Sequence, residues 1–167
     1  MEALNDAKSW LARHSGLRRI KTAGGRRGRG FTLLFDGPPS SNARKRRAAE
    51  TLGKEFSKGL YTVDLSQVVG KYIGETEKNL AAVFKEAADK DFILFFDEAD
   101  ALFGKRSDVK DAHDKYANTE VNYLMQRLEE HPGLVILASN LKVAIDPAFI
   151  RRFQTVVKFP QVRSVIK

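Results

Sequence analysis

Residues 92–100 read FILFFDEAD, five consecutive apolar side chains followed by Asp97, Glu98 and, two places on, Asp100. Apolar residues at successive rather than alternate positions mark a strand covered on both faces. A second such run, LVILA, occupies 134–138. Three more short runs rich in β-branched and aromatic residues fall at 31–35, 60–65 and 155–159. Between most of them lie stretches of helical period, 75–89 (Leu80, Val83, Phe84, Ala87) and 113–130 (Val121, Leu124, Met125, Leu128). Strands alternating with helices pair in parallel through crossover helices. The expected fold is α/β, a mostly parallel five-stranded sheet with helices on both faces.

With 167 residues, 43% of them hydrophobic, the chain has material for one sizeable core and not for two ordinary domains. It has no apolar run near the roughly 20 residues of a membrane helix, and its start, MEALNDAKSW, lacks the basic-then-apolar order of a secretory signal. A non-exported, cytoplasmic protein with no membrane contact is expected. The absence of cysteine removes disulfide frameworks and thiolate metal sites. The net charge of +8, from 29 basic and 21 acidic residues, is concentrated in runs at 26–29 and 44–47. Such runs form a solvated basic face or contact a polyanion, and both readings stand. No aromatic residues interleave with them, so the case for nucleic acid is weak. Ahead of the core, 2–13 has Leu4, Ala7, Trp10 and Leu11 at helical spacing, followed by a basic connection at 21–30.

In open α/β sheets ligands bind beyond the carboxyl ends of the strands. Asp97 and Glu98 stand at such an end, where two adjacent carboxylates have little structural purpose. Asp97 suits a magnesium ion, held through its water shell, and Glu98 suits a water attacking a γ-phosphate. A solvated loop start is the plain alternative. The letters DEAD at 97–100 also invite comparison with helicases of that name, but these need a second motor domain and the surrounding motifs do not match.

In order, the chain carries a glycine-initiated turn at Gly37, then VDLSQVVGKYIGETEKN, FFDEADALFGKR, ASN and DPAFIRRF. From residue 30 to 160 this order resembles the large subdomain of AAA+ ATPases, in particular bacterial AAA proteins. The resemblance implies a P-loop NTPase-like, three-layer α/β/α fold with ATP and Mg2+ as cofactors. It also implies assembly of like subunits into a hexameric ring that remodels a protein substrate. Asn140 corresponds to the residue that hydrogen-bonds the attacking water or the γ-phosphate. An ordinary turn asparagine would look the same. Arg151 and Arg152 match the segment that supplies arginine fingers to a neighbour, an always-charged planar fork suiting developing phosphoryl charge. Which of the two acts is open, as is a surface ion pair. Tyr72, between Gly70 and Gly74, matches the aromatic pore loop that grips polypeptide, and 104–114 resembles a second pore-facing or intersubunit loop.

The phosphate loop departs from the family. The family form G-x-x-G-x-G-K-T places glycines against phosphates, a lysine on the β and γ groups and a hydroxyl on the metal. This chain has GPPSSNARKRRAAE, which starts correctly at Gly37, Pro38 and Pro39 and then diverges. Counting forward from Gly37 puts Asn42, Ala43 and Arg44 at the glycine, lysine and threonine positions. Counting back from a helix beginning RAAETLGKEF puts Lys45 at the lysine position, flanked by Arg44 and Arg46, with a loop two residues longer. The second counting is preferred, since loops absorb insertions more easily than packed helices absorb shifts. It leaves Arg44 where positive φ is expected and Arg46 where an oxygen should meet the metal. The organisation expected is an N-terminal helix and basic linker (1–29), a nucleotide-binding core (30–160) and a C-terminal tail (161–167). The family's helical lid, with its second sensor arginine, is expected to be absent. An ATP-hydrolysing remodelling subunit, a non-hydrolysing scaffold of the same fold and a basic nucleic-acid module are the three functions that fit, in that order.

Overall fold

A computed structural model describes residues 2–14, 30–103, 114–140 and 147–161. The basic run at 26–29, the second loop up to 113 and the tail beyond 161 lie outside the described residues. Helix α1 (Glu2–His14) precedes β1 (Phe31–Asp36). A 3-10 turn (Pro39–Ser41) then leads into α2 (Asn42–Glu55). Next come β2 (Leu60–Asp64), α3 (Leu65–Val68), α4 (Glu75–Lys90), β3 (Ile93–Asp97) and α5 (Asp100–Phe103). The described chain ends with α6 (Asp114–Glu130), β4 (Leu134–Ser139), α7 (Pro147–Ile150) and β5 (Thr155–Lys158).

The five strands form one sheet in the order β2-β3-β4-β1-β5. Every neighbouring pair is parallel. Side chains alternate across the sheet, so each strand feeds two cores. Leu34, Leu94, Phe96, Val135 and Leu137 face α3 to α7, meeting Leu80, Phe84, Val121, Leu124 and Phe149. Leu33, Phe35, Ile93, Phe95, Ile136 and Ala138 face the other way, onto Ala49 and Leu52 of α2 and Ala7 and Leu11 of α1. Helix α1 is thus part of this second layer. The result is the three-layer α/β/α architecture expected from the sequence. No described helix is long and apolar enough to cross a membrane.

Helix α2 departs from expectation. Its regular turns begin at Asn42, five residues before the RAAETLGKEF start, and no residue of 42–46 has positive φ. The strain expected at Arg44 is therefore absent. Without glycines to open a loop, 42–46 settle into the right-handed helical region, where ordinary side chains cost least.

Candidate functional site

Parallel pairing brings the carboxyl ends of β1, β3 and β4 to one edge. Asp36 lies opposite Ser139 across β1 and β4, and Phe96 opposite Leu137 across β3 and β4. Asp97, Glu98, Ser139 and Asn140 therefore emerge together. Gly37 turns the chain from β1 toward α2 through a narrow gap. A Cβ there would fall 2.3 Å from the Phe159 carbonyl oxygen and 2.8 Å from Ser41 Oγ. Pro38 and Pro39 follow; the Pro38 carbonyl accepts from Ser41 N at 2.8 Å and from Ser41 Oγ at 2.6 Å, holding the 3-10 turn.

Lys45, one turn into α2, points back under this turn and is 1% exposed. Its ammonium donates to the carbonyls of Gly37 (2.8 Å) and Ser139 (2.6 Å) and lies 3.3 Å from Asn140 Oδ1 and 3.4 Å from Asn42 Oδ1. Burial lowers its pKa from the ordinary lysine value, opposed by the carboxylates of Asp36, Asp97, Asp100 and Glu98. Of the two countings, only that ending on Lys45 brings an ammonium to the strand edge. Arg44 instead donates to the Pro160 carbonyl beyond β5.

Asn140 bridges the site. Its Oδ1 faces Lys45, its Nδ2 lies 3.3 Å from Glu98 Oε2, and its backbone N–H donates to Asp100 Oδ2 at 3.0 Å. Asp100 also accepts from Ser139 Oγ at 3.3 Å, clamping the end of β4. Glu98 sits at φ 58°, in the left-handed region that non-glycine residues rarely occupy. Such outliers persist where surroundings hold them, and they gather at functional sites. Here the Glu98 N–H donates to Asp97 Oδ1 at 2.9 Å.

The other Asp97 oxygen, Oδ2, accepts from Arg46 Nη2 at 3.0 Å. Asp97, the carboxylate expected to hold magnesium through its water shell, is thus engaged by a cation of its own chain. Magnesium demands a near-octahedral shell of oxygens. Arg46 supplies none at the family's hydroxyl position, and both Asp97 oxygens already have partners. Among the described residues no three His, Asp or Glu side chains gather as a metal site. The donor set does not fit a resident magnesium ion. Nor is the basic run at 44–47 a uniform solvated stripe, since Lys45 is buried and Arg46 is paired with Asp97.

The remaining candidates stand apart. Gln154 N donates to the Thr32 carbonyl, so 151–154 lie at the amino end of β1, across the sheet from Lys45. Arg152 pairs with Glu129 of α6 at 2.7 Å, while Arg151 is exposed. The chain does not bring either arginine to its own strand edge. Tyr72 and Ile73 are 78% and 77% exposed in the turn before α4, where Gly74 takes φ 80°. A half-buried tyrosine is thereby excluded.

Sequence reading left two participants without a role. Asp100 appeared only as the last letter of DEAD, although its burial at the start of α5 was foreshadowed by the apolar Leu102 and Phe103 that follow. Arg46, expected only to lack the oxygen a metal would need, is instead a cation for Asp97.

Residues 37–161 match the family model of the ATPase family associated with various cellular activities (AAA). The chain is 35% identical over 129 residues to the uncharacterized AAA family ATPase y4kL of Sinorhizobium fredii, covering 76% of this chain and 38% of that protein. To the cell division protein C of Sulfolobus acidocaldarius it is 32% identical over 131 residues, 73% of this chain and 34% of that one. To the proteasome-associated ATPase of Acidothermus cellulolyticus it is 35% identical over 139 residues, 74% of this chain and 22% of that one. The chain thus spans well under half the length of these relatives. With the family match running from the turn at Gly37 to the end of the sheet, over the same residues that build the strand edge, this chain belongs to the AAA family of ATPases.

Proposed function

We propose that this chain is a nucleotide-binding subunit that assembles with copies of itself into a ring and couples ATP to the remodelling of a protein substrate. The convergence of Lys45, Asp97, Glu98 and Asn140 on one strand edge supports the reading. Helix α2 adds to it, because its first turn holds no acidic residue and its opening residues include Arg44, Lys45 and Arg46. Cations at a helix amino end oppose its dipole, and an anion there relieves the cost. Lys45 would exchange a backbone carbonyl for a phosphate oxygen, while Glu98, steadied by Asn140, would orient the attacking water. Arg151 would serve a neighbouring subunit, since it cannot reach its own edge. Exposed Tyr72 would contact the polypeptide substrate.

Calorimetric titration with ATP tests the reading. Lys45→Met keeps the buried stem and removes the charge; losing a charge-assisted contact should weaken binding about tenfold or more. Equal affinity in parent and variant would sink the reading.

The Arg46–Asp97 pair favours a second reading, a scaffold of the same fold that binds nucleotide without turning it over. Glu98→Gln separates the two. In a hydrolysing ring it should stop phosphate release while leaving ATP affinity within about twofold. If the parent ring releases no phosphate, the scaffold reading holds.

A further inference from the structure

We infer that Arg46 takes the place of the divalent cation, so that this chain binds the phosphates of a nucleoside triphosphate without magnesium. The inference rests on the nucleotide-binding reading and specifies its ion requirement.

Arg46 follows Lys45 directly, at the position where the family pattern supplies a metal-binding hydroxyl. Its Nη2 lies 3.0 Å from Asp97 Oδ2, the carboxylate the same pattern gives to the metal. Both ends of the family's metal site are therefore occupied by one internal ion pair. The Asp97 side chain is 9% exposed and that of Arg46 is 57% exposed, so the pair is anchored inside and open at the guanidinium. A guanidinium carries five N–H donors in a rigid fork. With Nη2 turned to Asp97, the rest remain for phosphate oxygens, which this group recognises in bidentate fashion.

Electrostatics works against a metal entering as well. Magnesium would have to displace the Arg46 guanidinium from Asp97 while approaching the ammonium of Lys45, and the displaced cation would remain tethered to α2 close by. A permanently charged arginine meanwhile costs nothing to recruit from solution. It provides one positive charge against the two of the metal, and Lys45 and Arg44 add others at the same helix start.

The experiment is ATP titration of the full chain, by calorimetry, in excess magnesium and in EDTA, for the parent and Arg46→Thr. The parent should bind with affinities within about twofold in the two buffers, whereas the variant, with a hydroxyl restored and Asp97 released, should bind about tenfold more weakly in EDTA. Parent affinity that falls about tenfold in EDTA overturns the inference while leaving nucleotide binding intact. No binding in either buffer overturns the nucleotide reading and the inference with it. A second readout needs no nucleotide: manganese binding followed by electron paramagnetic resonance. Arg46→Thr should take up manganese at a site lost in the Arg46→Thr/Asp97→Asn double variant, and the parent should not. A one-to-one manganese site in the parent that Asp97→Asn abolishes overturns the inference whatever ATP does.

Discussion

Phe96→Ala should destabilise the protein by about 3–5 kcal/mol, the usual cost of emptying a buried phenylalanine site. Phe96 is fully buried on the penultimate residue of β3, which lies between β2 and β4. Its ring packs 5.4 Å from that of Phe84 on α4, and its backbone stands opposite Leu137. A strand in the interior of a parallel sheet cannot move toward a cavity without disturbing its neighbours, so little relaxation is available. Single domains are stable by only about 5–15 kcal/mol, so this loss removes a large fraction of the total. Because Asp97 is the next residue, the same cavity should loosen the carboxylate from Arg46. Urea unfolding followed by circular dichroism measures the first effect, with Tyr72→Ala as the contrast. Tyr72 is 78% exposed, and that change should stay within about 0.5 kcal/mol. A Phe96→Ala midpoint indistinguishable from that of Tyr72→Ala would refute the assignment of this face as a load on the core.

The sheet was open to sequence reading because its strands are buried on both faces. FILFF and LVILA have no polar residue to accommodate, so their ends are marked by the first charged or hydroxyl side chains, Asp97 and Ser139. Those ends also announced the site, since a carboxylate following five apolar residues leaves the strand where ligands bind. Asn140 came instead from the family resemblance, since an asparagine closing a strand is equally an ordinary turn residue. Other features depend on residues distant in the chain. Arg46 and Asp97 are 51 positions apart and meet only because β1 and β3 run parallel with α2 covering the edge. The pairing of Arg152 with Glu129 likewise depends on how α6 passes the start of β5. The early start of α2 was missed for a local reason. Residues 42–46 lack the glycines of the family loop and follow ordinary helical preference instead.

Charge at the strand edge links these observations. Asp36 pairs with Lys158 at 2.5 Å and Asp97 with Arg46, which leaves Glu98, Asp100 and the Lys45 ammonium. Asp100 is committed to Ser139 and Asn140, so Glu98 and Lys45 are left facing Asn140 from its two sides. One amide thus connects the candidate phosphate-binding cation with the candidate water-orienting carboxylate. A ligand that draws Lys45 toward phosphate would free Asn140 Oδ1 and alter the support of Glu98. This gives a physical route by which an occupied phosphate site could change the geometry of the hydrolytic one.

Acidification from pH 7 to pH 4 should remove about 3 kcal/mol of stability through His131 alone, at about 1.4 kcal/mol per unit of pKa difference. His131 follows α6, is 5% exposed and stands edge-on to Phe84 with ring centroids 5.7 Å apart. Burial lowers its pKa from 6.5 to about 4, partly offset by the charge of Asp91. At pH 7 the imidazole is mainly neutral in both folded and unfolded chains, so it contributes little pH dependence there. Below pH 6.5 the unfolded chain takes up a proton that the folded chain refuses until about pH 4. Stability present above the unfolded pKa is therefore lost as the pH falls through this window. His131→Phe keeps an aromatic ring against Phe84 and removes the titrating group. Thermal unfolding of parent and variant from pH 7 to pH 4 should diverge steadily, with the variant losing less. Since carboxylates and the other two histidines are common to both chains, their contributions cancel in the difference. Parallel curves would show that the ring already finds a protonated state in the fold, and that its burial beside Phe84 carries no penalty.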